Sequence, residues 1–339
     1  MHRILYFLLV LGLLNLPTLK AGLQANQPDD FKNQDSAPES VRSDKNQSRA
    51  SKRLEQAQEK YAVGKSRAAK RLLKKVIRQV PDSMIAAEAL ALRAQIHMKN
   101  EQWIKAFDDL QRIVDDHPQY ENFDQIIAGQ FNCATALMEG ATGRIFWIFP
   151  GFKQYRTAVE QFEQILSNAP YGPYAPITLM NIAFISEKNN NPEEAIDALD
   201  RLINYYPQSI LAPDAYYNLA RTYSDLVKGY QYDQGSTRRA ISYYEDFLIL
   251  FPNSEYIGEV EANLRKMGDL LARSRLDLGD FYYYYRNNNT AALVFYNEAI
   301  TIEPDSDAAE EARTRISDIE RGVRPVSNAS LLRKLLGAN

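Results

Sequence analysis

LLKKVIRQVP at residues 72–81, LQRIVDDHP at 110–118, FEQILSNAP at 162–170, LDRLINYYP at 199–207, YEDFLILFP at 244–252 and YNEAITIEP at 296–304 are six versions of one helix ending. Counting back twelve residues from each proline gives Ala69, Ala106, Ala158, Ala195, Ala240 and Ala292. Alanine at every one of those positions is a coincidence on the order of one in a million at ordinary alanine usage. Eight residues before the prolines stand Leu73, Leu110, Phe162, Leu199, Tyr244 and Tyr296, and five before stand Val76, Ile113, Ile165, Leu202, Phe247 and Ala299. Offsets of four and three put these positions on one face of an α-helix. The small residue predicts a close approach of a partner helix, and the large one fills the space between neighbouring units. Proline ends each helix because it lacks an N–H and clashes with the preceding turn.

Each unit is therefore read as a helical hairpin, and the pattern resembles the second helix of the tetratricopeptide repeat. Small residues in the first helices, Ala94, Ala183 and Ala220, follow the same logic. The prolines are 37, 52, 37, 45 and 52 residues apart, so several units carry insertions. GATGRIFWIFPGFKQY (residues 140–155) interrupts the third unit and VKGYQYDQGSTRR (227–239) the fifth. A long helix is expected from about Ser254 to Arg286, and a helix from about Ser306 to Arg321 is expected to cap the array, since an open terminal hairpin leaves apolar surface in water. The fold class is all-α, a right-handed solenoid of about six hairpins with a C-terminal capping helix.

The segments outside the repeats differ in character. A basic start (Met1, His2, Arg3), an apolar run from Ile4 to Leu14 and the small residues Ala21, Gly22 and Ala25 read as a signal peptide over residues 1–21. The competing reading is a membrane anchor, but a helix from Ile4 to Leu16 would reach roughly 20 Å, short of the ~30 Å hydrocarbon core. Residues 22–51 hold few apolar side chains and read as a disordered leader. The array is placed at 52–321 and a tail at 322–339, where Leu331, Leu332, Leu335 and Leu336 form a short amphipathic stretch.

Forty Lys and Arg face 43 Asp and Glu in 339 residues, a balance that disfavours nucleic acid as a partner. Cys133 is the only cysteine, so no intramolecular disulfide and no multi-cysteine metal site can form. None of the motifs HExxH, GxSxG or the phosphate loop appears. A Cys-His pair would have to join Cys133 to His97 or His117, and a cysteine amid Phe131, Ala134 and Ala136 is read as a structural thiol. No cofactor, metal or catalytic residue is expected. Two binding surfaces are. Phe146, Trp147 and Phe149, with their apolar neighbours, belong to a stretch that either touches a partner or a bilayer, or packs back over a hairpin. Tyr216, Tyr217, Tyr223 and Asn218, with Met180 and Asn181, fall on first helices, which line the concave groove of such arrays. There they serve either peptide binding or packing.

YYPQSILAPDAYYNLARTY (205–223), the stretch YDQGSTRRAISYYEDFLILFPNSEYIGEVEANLRKMGDLLA (232–272) and FYYYYRNNNTAALVFYNEAITIEPDSDAAEEA (281–312) resemble a known family. Its signs are the Tyr-Pro-x-Ser turns, the Asp233, Gln234 and Thr237 stretch, and the long helix ending in a tyrosine run. These features are similar to the outer-membrane β-barrel assembly factor BamD family, over about Asp197 to Arg315. The resemblance implies a non-enzymatic periplasmic adaptor, peripheral at the outer membrane of a Gram-negative-type bacterium. It would dock on an outer-membrane assembly subunit through its C-terminal repeats and engage β-barrel client polypeptides through its N-terminal ones. Two features depart from that family: no cysteine follows the apolar run to carry a lipid, and six repeats are present where five are usual. The alternative is another periplasmic repeat adaptor, for cell-wall or secretion machinery.

Overall fold

The computed structural model describes residues 39–140, 154–232 and 234–323. Two compact units divide the chain at residue 45. The first contributes only the opening of α1 to the described residues; the repeat array lies in the second. The signal peptide, most of the leader, the insertion with Phe146, Trp147 and Phe149, Asp233, and the tail leucines lie outside the described residues.

Thirteen α-helices and no strand are found among the described residues. They pair as α1 (Glu39–Ala62) with α2 (Ser66–Gln79), α3 (Met84–Lys99) with α4 (Trp103–Asp116), and α5 (Phe123–Met138) with α6 (Tyr155–Asn168). Then follow α7 (Ala175–Lys188) with α8 (Pro192–Tyr205), α9 (Ala212–Leu226) with α10 (Gln234–Leu250), and α11 (Ile257–Asp280) with α12 (Asn289–Ile302). α13 (Asp307–Glu320) closes the array. From α2 onward each helix packs on the next, and α11 also reaches α13. Packing of each hairpin mainly on its neighbours along the sequence makes this a solenoid.

The repeat reading holds at every position. All six second helices end two residues before their proline, and the six alanines are completely buried. The large residues four positions on are at most 3% exposed, including the full rings of Tyr244 and Tyr296. Ala94, Ala183 and Ala220 are buried as well. In four hairpins the turn between helices shares one device: Gly64, Glu101, Asn190 and Asn287 take positive φ of 76°, 56°, 55° and 47°, each two residues before the second helix starts. A left-handed residue reverses the chain in the fewest residues and favours Gly or Asn. The third and fifth hairpins, which carry the insertions, join their helices by longer connections.

Three differences from expectation have physical causes. α1 begins at Glu39, so residues 39–51, assigned above to the leader, are helical. No Gly or Pro interrupts residues 39–63, and the buried Ala50, Leu54 and Ala57 anchor one face of that helix. The tyrosine run does not continue α11 as α-helix: Phe281–Tyr285 widen into a π turn, with Arg286 N–H donating to the Phe281 carbonyl at 3.3 Å. This turn drives Tyr283 into the core and lays Tyr282 on Phe295, ring centroids 5.3 Å apart. Finally, the core divides within α11. Its first half closes the main core through Val260 and Met267, and its second half, with Ala272 and Leu276, joins Tyr296, Ala299 and Ala312 in a smaller one. At about 1.5 Å per residue the 24-residue α11 is roughly 36 Å long, which lets one helix serve both.

Candidate functional site

The groove tyrosines form a packed aromatic seam between α9, α10 and the start of α11. Tyr217 stacks on Tyr256 with centroids 4.7 Å apart and donates its hydroxyl to Glu259 Oε1 at 2.5 Å. Burial, then the Glu259 carboxylate, pushes that phenol well above its usual range. Tyr223 stacks on Tyr243 at 5.7 Å and accepts from Arg239 Nη1 at 3.0 Å. Tyr243 in turn donates to Asp200 Oδ1 of α8 at 3.1 Å, and burial followed by that carboxylate raises its phenol to about 12. Tyr217 and Tyr223 are thus buried packing residues whose ring faces are occupied within the chain.

Tyr216 is half-buried, edge-on to Phe251 and Tyr243 at 5.5 and 6.4 Å. Asn218 is half-buried too, and its amide donates to the Asp214 carbonyl at 2.8 Å, which leaves its side-chain oxygen open to a ligand. Met180 and Asn181 lie half-buried on α7. Of the six groove candidates, these four keep surface in solvent. Phe146, Trp147 and Phe149 are outside the described residues.

Cys133, His97 and His117 sit on three different elements. Cys133 is fully buried in α5, and burial lifts its thiol to about 12, far from a thiolate nucleophile. His97 Nδ1 donates to Gln102 Oε1 at 2.6 Å, and burial lowers its pKa. His117 is buried after α4. Among the described residues, no group of three or more His, Cys, Asp or Glu is placed to hold a metal ion.

A second surface escaped the sequence reading. Tyr171 and Ile210 are 95% and 91% exposed, and Tyr205, Ile249 and Leu250 also stand in solvent. All sit within three residues of a repeat proline, at the turns leaving α6, α8 and α10. The turns after α6 and α8 are tied together by the Tyr206 hydroxyl, which donates to the Pro170 carbonyl. Large apolar side chains thus stand exposed where three successive repeats end their second helices. Distance from the proline was the available signal, because these residues fall outside the buried offsets of twelve, eight and five.

Residues 54–121 match a tetratricopeptide repeat model, and a model described as YfiO, outer membrane lipoprotein, matches residues 152–323, just over half of the chain. The chain belongs to the YfiO outer membrane lipoprotein family. The YfiO match runs from the end of the insertion through α13 and contains the tyrosine seam and the exposed edge. Among relatives, an outer membrane protein assembly factor BamD of Rickettsia prowazekii is 30% identical over 130 residues, 38% of this chain and 52% of that one. Its namesake in Caulobacter vibrioides is 26% identical over 128 residues, 38% and 42% of the two chains. The chain spans about half the length of these relatives. A crystal structure of MamA aligns with a TM-score of 0.32 at 15% identity, over 59% of this chain and 91% of that one, a likeness too slight to build on. Cys133 is the only cysteine in the sequence. No helix among the described residues is long and apolar enough to cross a membrane.

Proposed function

We propose that this protein is a non-catalytic periplasmic adaptor in the assembly of outer-membrane β-barrel proteins, peripheral at the outer membrane. The observation that carries the reading is the YfiO match over residues 152–323, whose relatives bear the name of an assembly factor. In this reading the edge of Tyr171, Tyr205, Ile210 and Ile249 receives an assembly subunit. Its exposed apolar side chains supply the desolvated anchors that protein interfaces concentrate their energy on. Tyr216, Asn218, Met180 and Asn181 face an extended client segment in the groove, with amide and phenol groups for its backbone and apolar surface for its side chains.

The test is affinity isolation of the tagged full chain from its native envelope at native expression. The expected companions are a barrel-inserting subunit and β-barrel clients. An Ile210→Asp, Ile249→Asp variant should lose the subunit while melting at the wild-type temperature, because both side chains already stand in water. Recovery of cell-wall or secretion proteins in place of β-barrel proteins would move the protein to the alternative class of periplasmic adaptor.

A further inference from the structure

Charge is divided along this chain far more sharply than its net value of −3 suggests. Residues 46–81, most of the first hairpin, carry eleven Lys and Arg against two Glu, a net +9, while the other 303 residues carry 29 against 41, a net −12. The concentration peaks in α2, where Arg67, Lys70, Arg71, Lys74, Lys75 and Arg78 stand with no acidic residue at all. Ala69, Leu73, Val76 and Ile77 bury the opposite stripe, so the outward face is cationic over roughly 16 Å at 1.5 Å per residue. None of the six has an acidic partner among the described residues, whose helix ion pairs all lie further along the chain.

Beside this face, toward α3 and α4, opens a solvent-connected cleft of about 320 Å³. Lys70 and Lys74 reach it from α2 and Lys105 from α4. The cleft's buried acid, Asp109, is already held by Arg93 in a two-pronged pair at 2.8 and 2.5 Å, so it does not neutralise the lysines. Asp108 remains as the one unpaired carboxylate on its wall. Burial lowers the pKa of Lys70, and the nearby positive charges of Lys105 and Arg67 add to that. An anion entering the cleft relieves that repulsion.

We propose that the α2 face and its cleft dock on the phosphate headgroups of an anionic membrane surface. A protein partner fits less well, because the exposed side chains of α2 are all cationic and include no aromatic or apolar anchor. Nucleic acid fits less well too, since the face has no aromatic ring to stack a base and the rest of the chain repels a long polyanion. A bilayer asks only for clustered positive charge at its surface, which adds to any apolar insertion as a second, salt-sensitive attachment. The family's membrane association supplies the setting. The proposal does not depend on which assembly partners the array holds.

The experiment is co-sedimentation of the full chain with phosphatidylcholine vesicles with and without phosphatidylglycerol, reading the ratio of the two partition coefficients. The ratio cancels whatever residues 1–38 contribute to neutral lipid. A ratio of about tenfold or more is expected for the native chain at ~0.1 M salt, shrinking as salt rises. Lys70→Gln, Arg71→Gln, Lys74→Gln and the charge-reversed Glu series should both bring it toward one, with unchanged melting showing that the fold survives. A native ratio near one overturns the proposal, as does a folded variant that keeps the native ratio. Saturable binding of inorganic phosphate without vesicle binding would make the cleft a soluble-anion site instead. Duplex DNA binding more tightly than the vesicles at equal phosphate concentration would likewise refute the membrane assignment.

Discussion

Gly279→Ala adds one methyl group where α11 packs closely on Tyr296 of α12. A Cβ at that position lies 2.4 and 2.5 Å from Cε1 and Cδ1 of Tyr296 and 3.1 Å from its Cζ. Carbon atoms in contact prefer about 3.5–4.0 Å, so the ring would have to retreat by roughly 1 Å. It has nowhere to go. Tyr296 is completely buried, and its hydroxyl donates to Asp280 Oδ1 at 2.7 Å, one residue from the added methyl. Overpacking of this kind costs about 1–3 kcal/mol, and losing a hydrogen bond to a carboxylate costs about 1.5–3. Alanine returns at most about 1 kcal/mol of helix propensity. The variant should therefore be destabilised by about 1–3 kcal/mol, read as a lower urea midpoint and as faster amide exchange in α12, where a repeat array opens locally. Gly268→Ala is the control in the same helix. Its Cβ meets Glu303 Oε2 at 2.8 Å, the free end of a half-buried side chain that can swing away, so propensity prevails and stability holds or rises. A Gly279→Ala protein as stable as wild type would refute the packing argument.

The left-handed turn makes Glu101→Gly a gain of about 1 kcal/mol, measurable as a raised melting temperature, because a side chain at φ 56° strains the backbone and glycine does not. His97 is held below its ordinary value of 6.5 chiefly by burial, so the unfolded chain takes up that proton first as pH falls. Wild-type stability relative to His97→Gln should therefore be greatest at neutral pH and decline as pH drops below 6.5; a difference that grows on acidification would reverse the sign assigned to that imidazole. With its thiol raised to about 12 and no exposed surface, Cys133 should resist iodoacetamide in the native protein and react once urea unfolds it. Labelling at native rates close to those of a free thiol would show α5 to be open.

The hairpin array was legible before any coordinates because it rests on a period. Alanine, a large apolar residue and proline recur at fixed offsets, and a helix turns those offsets into one face whatever surrounds it. The long α11 followed from apolar spacing, though not its π-turn ending, and the capping α13 followed from the need to cover the last hairpin. Charge was legible as a sum and misleading as one: a net of −3 conceals the +9 of residues 46–81 that only a local count exposes. The groove candidates show where the period stops informing. Tyr216 and Tyr217 are adjacent in sequence and alike in chemistry, yet Tyr217 is sealed against Tyr256 while Tyr216 keeps an open edge. Which of two neighbours faces solvent depends on how α10 and α11 cross α9.

Sequence by itself determined the hairpins, their pairing and the ends of the second helices, since these follow from local sterics and from an apolar stripe repeating along the chain. Only the tertiary structure decided which tyrosines are spent on packing, that Tyr171, Ile210 and Ile249 stand in solvent, and that Lys70, Lys74 and Lys105 share a cleft. Those facts depend on distances between residues in different helices, and no local rule of the chain encodes them.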